Sequence, residues 1–225
     1  MARTALVAGA NGLTGSALVR LLLRGSDYAR VYALTRRPLP LENPRLANRI
    51  LKYEDLAARL AGMRCDDAFC CLGAAGGPRA AAAEHRRVDL DLVLAFAHAA
   101  RTAGAGRLVV ISAAGAAAGS RNEFLRAKGE LEVALRELKF SALDLLQPGT
   151  VVGERPAGAA LDTLRHVVAP LVNLTRLGKF ADSRWIAGAD LAAAMLGAAR
   201  SQRRGISSYS GLRLQQLTSA GTRTS

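Results

Sequence analysis

Aromatic residues make up only 4% of the 225 positions, so Leu, Val and Ala must fill any core the chain builds. Hydrophobic residues as a whole are 50%, enough to bury a sizeable core in one domain or two small ones. Cysteine is also scarce. Cys65, Cys70 and Cys71 are an odd set, which argues against a disulfide framework and suits a reducing compartment. Cys70 and Cys71 are neighbours in a predicted strand and so point to opposite faces. No CxxC or Cys/His cluster occurs, and no metal site is expected. No uncharged stretch approaches the roughly 18 residues of a membrane span. The first residues read as a strand rather than a signal-peptide layout. The expectations are therefore no membrane and a cytoplasmic location.

Negative charge is short as well. The 31 basic residues outnumber the 18 acidic ones, for a formal net charge of +13. Such a surface can attract nucleic acid, anionic lipid or an anionic ligand. The positive residues are mostly Arg and are spread along the whole chain, without a run that would form a basic arm. Zinc-finger spacing and RNA-binding aromatic motifs are missing, so no nucleic-acid partner is expected beyond non-specific charge attraction. A hydrolase elbow of the G-x-S-x-G type is missing too.

What is present is concentrated at the start. Thr4 to Ala8 is an apolar run that reads as a buried parallel strand, and Leu18, Leu21 and Leu22 recur at helical spacing from about Thr14. Between them lies Gly9-Ala10-Asn11-Gly12-Leu13-Thr14-Gly15. Strand, glycine turn and helix form the context of a dinucleotide site. Gly9 allows a tight turn, Gly12 a close approach of backbone to a pyrophosphate, and Gly15 close packing of helix on strand. The N–H groups of the helix start face the phosphates, aided by the helix dipole. The candidates here are Gly9, Asn11, Gly12, Leu13, Thr14 and Gly15. The next strand, Arg30 to Thr35, ends at Thr35-Arg36-Arg37, where an NAD-preferring site places Asp or Glu about 20 residues past the glycines. Two guanidinium groups suit a 2′-phosphate, so NADP is expected over NAD.

Further strands are expected over 49–53, 67–72 and 108–112, and helices over 54–62, 84–103, 123–138 and 190–200. Their alternation predicts an α/β fold, a doubly wound parallel sheet (Rossmann fold) with small C-terminal substrate-side insertions. Residues 1–218 read as one NAD(P)-binding domain, and 219–225 as a frayed tail. A second Gly-rich turn follows the 67–72 strand at the carboxyl end that lines the crevice, so Leu72 and Gly73 join the cofactor candidates. Ser112 ends the 108–112 strand on the same side. His85 and His98 read as surface or capping residues. Lys128 follows Phe124 by four residues and projects from the same side of its helix. An apolar helix is expected near 161–171, with basic residues Arg155, Arg165, Arg176 and Lys179 around it.

The ordered set GANGLTGS, TRRPL, FCCLGAAGG, RRVDLDLVLAFAHAAR, VVISAAGA, FLRAKGELE and LLQPGTVVGER resembles an atypical short-chain dehydrogenase/reductase. It is most similar to the Tat-interacting-protein-type oxidoreductases and their bacterial homologues, and the match extends to the Trp185 region, covering about the first 200 residues. The resemblance implies a Ser that orients the substrate oxygen, matched by Ser112. It also implies a Tyr-x-x-x-Lys pair, in which Tyr handles the proton while Lys binds the nicotinamide ribose and lowers the Tyr pKa. Lys128 matches the Lys. The Tyr position holds Phe124, which carries no proton, and none of Tyr28, Tyr32, Tyr53 and Tyr209 stands four residues before a lysine. The family also implies that Pro148, Gly149 and Thr150 pass the nicotinamide. The chain thus reads as an NADPH-dependent oxidoreductase on a small carbonyl substrate with altered acid chemistry. The alternative is a catalytically silent NADP(H)-sensing protein that regulates a protein partner.

Overall fold

Seven strands lie parallel in one sheet in a computed structural model of the chain, which describes residues 3–52, 55–56, 60, 62–74, 77–153 and 185–222. The strands are β1 (Arg3–Ala8), β2 (Tyr28–Thr35), β3 (Leu46–Ile50), β4 (Asp67–Cys70), β5 (Arg107–Ile111), β6 (Ala142–Leu146) and β9 (Gly205–Tyr209). Their order is β3-β2-β1-β4-β5-β6-β9, and every pairing is parallel. The order reverses between β1 and β4, which places a ligand crevice at the carboxyl ends of those two strands. Two three-residue strands, β7 (Thr150–Val152) and β8 (Trp185–Ala187), form a separate parallel pair. This is the expected doubly wound sheet with small C-terminal additions.

Strand periodicity divides the core in two. Leu6 and Ala8 face one side of the sheet, Ala5 and Val7 the other. The first side packs on α3 (Leu92–Thr102), through Val93, Phe96, Ala97 and Ala100, and on α4 (Glu123–Glu137), through Leu131 and Leu135. The second packs on α1 (Leu13–Arg24), α5 (Gly188–Arg200) and α6 (Gly211–Thr222), through Leu18, Leu22, Leu191, Met195 and Leu214. As the composition requires, most of these are aliphatic. Helices α5 and α6 meet almost backbone to backbone: a Cβ on Gly221 would stand 1.8 Å from the Ala193 carbonyl oxygen, and one on Gly197 2.1 Å from that of Leu217.

Several boundaries differ from the sequence expectations. The third strand begins at Leu46 rather than Arg49 because Arg45 pins its entry. The Arg45 guanidinium donates to the carbonyls of Gly25 (2.7 Å), Tyr28 (3.0 Å) and Leu23, and pairing with β2 starts at once, Val31 opposite Leu46. Strand β4 stops at Cys70, two residues early. The expected helix over 84–103 is interrupted: an α turn, α2 (Ala82–Glu84), leads into a π-helical segment (His85–Asp91) before α3 begins. Helix α6 runs to Thr222, beyond the point where the tail was expected to fray. Its polar sequence gave little helical signal, and its packing on α5 holds it. Leu56 and Leu60 are both buried against the α3 side, but most of the 54–62 stretch lies outside the described residues. The 161–171 helix, Arg155, Arg165, His166, Arg176 and Lys179 also lie outside them.

One cluster of buried charge sits at the amino ends of the strands, away from the crevice. Arg107, at the start of β5, pairs with Asp144 of β6 at 2.6 Å, with 8% and 2% of each residue exposed. It also donates to the carbonyls of Ala198, Ser201 and Arg203, so it closes the C-terminus of α5. Burial raises the Asp144 pKa, against the pull of Arg107 and of the Tyr209 hydroxyl. Next to it Asp67 accepts from Tyr28 (2.7 Å) and Arg3 (2.8 Å), and the Arg3 guanidinium lies over the Tyr28 ring. Replacing Asp144 with Ala strands a buried guanidinium and is expected to lower unfolding free energy by about 3–5 kcal/mol, read by urea denaturation.

Burial also pushes the thiols of Cys65 and Cys70 up to about 12. Unfolded thiols ionise near pH 8.5. Above that pH the unfolded chain binds fewer protons than the folded one, so stability is expected to fall as pH rises through about 9. Native Cys65 and Cys70 should resist iodoacetamide at pH 8 and react once the chain is unfolded in urea, read by mass spectrometry.

Candidate functional site

The glycine turn folds as its sequence requires. Gly9 has φ +75, and a Cβ there would lie 2.7 Å from the Cys71 carbonyl, so the turn sits directly against the exit of β4. A Cβ on Gly15 would lie 2.2 Å from the Gly9 carbonyl oxygen, and the Gly12 N–H donates to that oxygen at 2.9 Å. Helix α1 starts at Leu13 without a side-chain cap or an acidic residue in its first turn. Its leading N–H groups and positive dipole end therefore suit an anion. Thr14 is buried, and the Leu13 side chain packs against Gly153 and Gly188, joining this turn to the entry of α5.

Thr35 ends β2 beside the turn. Arg36 and Arg37 follow with exposed side chains, and the Asn11 side-chain amide donates to the Arg37 carbonyl at 3.0 Å. Thr35 Oγ1 and Asn11 Oδ1 are buried without a hydrogen-bond partner among the described residues. Two orphaned polar atoms beside a Cβ-free cradle and an uncapped helix start fit a dinucleotide with its ribose and phosphates here.

On the other side of the crevice, four segments converge. Lys128 is 3% exposed, unlike a solvated helix lysine. Its Nζ pairs with Asp89 at 2.9 Å, donates to the Ile111 carbonyl at 3.3 Å, and stands 5.9 Å from the centroid of the Phe124 ring. Gly73 is exposed at the exit of β4, and a Cβ on it would lie 3.6 Å from Asp89 Oδ1, while Leu72 is buried in the core. Helix α4 is set by backbone contact: Asn122 caps it through Leu125 N–H, and a Cβ on Gly129 would lie 2.1 Å from the Ala117 carbonyl carbon. Ser112 N–H donates to the Leu146 carbonyl and Ala114 N–H to that of Pro148, so the exits of β5 and β6 run together, with Gly149 exposed and Thr150 starting β7. Ser112 Oγ does not stand free in the crevice. It donates to buried Glu132 at 2.5 Å, and Gln147 donates to the same oxygen at 2.8 Å.

Three site groups were missed in the sequence. Asp89 is a lone carboxylate between Val88 and Leu90, and Glu132 lies one turn beyond Lys128 on α4; each is a buried acceptor for a candidate residue. His85, expected on the surface, is 2% exposed, with Nδ1 2.8 Å from Asp89 Oδ2 and its ring centroid 5.2 Å from that of Phe124. The usable signal was the His-x-x-x-Asp spacing at the head of an apolar helix, which puts both on one side. His98 is exposed, as expected.

Residues 9–152 match a family model described as NAD(P)H-binding. Among curated relatives, protein FMP52, mitochondrial, of Eremothecium gossypii is 32% identical over 67% of this chain and 67% of its own. Protein HTATIP2 of Rattus norvegicus is 31% identical over 68% of this chain and 64% of its own. The aligned stretch thus spans about two thirds of the length of these relatives. A short-chain dehydrogenase from Burkholderia cenocepacia in complex with NADP has the same fold, with a TM-score of 0.67 at 20% identity, covering 97% of this chain and 92% of that one. MoeE5 in complex with UDP-glucose and NAD also has a TM-score of 0.67, at 21% identity, covering 97% and 82%. The cytoplasmic expectation is corrected by the relatives, since those of Eremothecium gossypii and Saccharomyces cerevisiae are named mitochondrial. Sparse, unpaired cysteine separates reducing from oxidising compartments, not one reducing compartment from another. Among the described residues no helix is long and apolar enough to cross a membrane. The glycine cradle, the parallel sheet and these relatives together place the chain in the NAD(P)H-binding family, among the atypical short-chain dehydrogenases/reductases.

Proposed function

We propose that the protein binds NADP(H) in preference to NAD(H) and acts as an oxidoreductase on a small carbonyl substrate. The observation that carries the preference is the tie between Asn11 and the Arg37 carbonyl, which holds the backbone of two exposed arginines beside the glycine turn, where an NAD-preferring sequence places Asp or Glu. In this reading Gly9, Asn11, Gly12, Leu13, Thr14 and Gly15 surround the pyrophosphate. Thr35, Arg36 and Arg37 take the adenosine ribose and its 2′-phosphate. Leu72 and Gly73, with Pro148, Gly149 and Thr150, line the nicotinamide end, and Lys128 binds the adjoining ribose. Bound NADPH supplies a hydride. Ser112 orients the substrate oxygen once its hydroxyl turns from Glu132. Phe124 favours a second reading, a catalytically silent NADP(H) sensor for a protein partner, because a phenyl ring neither gives nor takes a proton.

Thermal unfolding with each nucleotide tests the proposal. NADPH at about 100 times its Kd stabilises by about 2.7 kcal/mol, a shift of roughly 5–10 °C for a chain of this size. NADH should shift the midpoint far less. Replacing Arg36 and Arg37 together with Ala should shrink the NADPH shift and leave the NADH shift unchanged. Equal shifts with both nucleotides would refute the preference, and no shift with either would refute nucleotide binding at this turn. The sensor reading requires a protein partner whose affinity changes with NADPH, and equal affinity with and without it would remove that reading.

A further inference from the structure

We propose that the His85 imidazole, held by Asp89, supplies the proton that Phe124 cannot. The inference rests on the oxidoreductase reading above. It starts from an unusual pairing of observations at the position of the missing hydroxyl. The His85 ring packs on Phe124, with centroids 5.2 Å apart and planes at 54°. Its Nδ1 is fixed by Asp89 at 2.8 Å, while its Nε2 is buried with no hydrogen-bond partner among the described residues. An imidazole placed only for packing gains nothing from a buried, unsatisfied nitrogen. One whose second nitrogen must exchange a proton needs that nitrogen uncommitted.

The surroundings suit that task. Asp89 accepts from both His85 and Lys128, so one carboxylate holds the imidazole in a fixed tautomer and orientation and also places the ammonium. With Nδ1–H donated to Asp89, the ring takes up and gives its mobile proton at Nε2. Among the described residues the groups on the ring are Asp89 on its own segment and Phe124 from α4, and Asp89 in turn meets Lys128 of α4 and the neutral Cys70 thiol of β4. Arg86–Glu130 and Arg87–Glu84 are exposed pairs on the outer side. The π-helical segment carries His85 and Asp89 together, and such segments often occur at functional sites. Phe124, which packs on the His85 ring, is itself only half-buried.

The step balances as carbonyl reduction. The substrate carbon gains a hydride from NADPH, the carbonyl π pair moves to oxygen, and that oxygen takes the proton from Nε2–H. The alcohol and NADP⁺ are formed, and neutral His85 is reprotonated from water.

The test uses the full chain, its H85Q and H85Q/F124Y variants, and phenanthrenequinone as the carbonyl probe. NADPH binding is measured by calorimetry for each protein. With binding equal, H85Q should lower turnover roughly 10²-fold. It should also abolish the decline in rate on the alkaline side of the wild-type pH profile. The H85Q/F124Y protein should recover at least tenfold of the loss. A readout independent of turnover is the ¹⁵N imidazole spectrum of the NADP⁺-loaded protein from pH 5 to 9, with the His85 signal identified by its loss in H85Q. Nδ1 should stay protonated throughout, and Nε2 should gain a proton as pH falls. A ring that stays neutral down to pH 5 overturns the proposal. So does unchanged turnover in H85Q, or a wild-type protein that binds NADPH and does not reduce the probe. Failure to bind NADPH at all instead refutes the nucleotide reading on which the proposal stands.

Discussion

Backbone packed on backbone at the head of α1 is the constraint on which the rest of this structure depends. The Gly9 carbonyl lies where a Cβ on Gly15 would stand 2.2 Å away, and the Cys71 carbonyl lies where a Cβ on Gly9 would stand 2.7 Å away. Three segments can occupy that volume only because two of them lack side chains there. The same contact seats α1 on the sheet, brings the exit of β4 against the first turn, and leaves the helix start open toward the crevice. Leu13 extends it, packing where Gly153 and Gly188 make room. Substituting any of these glycines would move an element as well as fill a pocket.

Charge divides the sheet into two ends with different uses. At the amino ends of the strands, Asp67, Arg107 and Asp144 are buried, with half-buried Arg3 beside them, and their hydrogen bonds run inward, to Tyr28, Tyr209 and the last carbonyls of α5. At the carboxyl ends the buried polar groups are left partly unsatisfied: Asn11 Oδ1, Thr35 Oγ1 and His85 Nε2 have no partner among the described residues. Buried polar atoms in a folded core are normally paired. Three orphans at the end of the sheet where the strand order reverses are what a ligand site looks like, whereas the saturated cluster at the other end serves to hold strands and helix together.

The carboxylates Asp89 and Glu132 organise the far side of the crevice. Each is buried, and each holds one of the two retained candidate residues, Asp89 taking Lys128 and Glu132 taking Ser112. A lysine this deeply buried would be costly without Asp89 and the Ile111 carbonyl around it. Substituting Phe for Tyr therefore leaves an intact charged framework around an apolar ring, with His85 packed against that ring.

By itself the sequence determined the parallel sheet, the glycine cradle and the identity of Ser112, Phe124 and Lys128, because these rest on local signals: apolar runs, glycine spacing and the order of short motifs. It also indicated the double-arginine exit of β2. Only the tertiary structure decided where β3 begins, since an arginine anchored by carbonyls from the preceding turn sets that edge. It likewise decided that a polar C-terminal stretch is helical, since α6 is held by contact with α5 rather than by its own pattern. Above all, it brought His85, Asp89 and Glu132 into the site. His85 meets Phe124 and Asp89 meets Lys128 across 39 residues of sequence, and Glu132 meets Ser112 across 20, and burial of a polar side chain depends on what packs over it, which no single stretch of sequence contains.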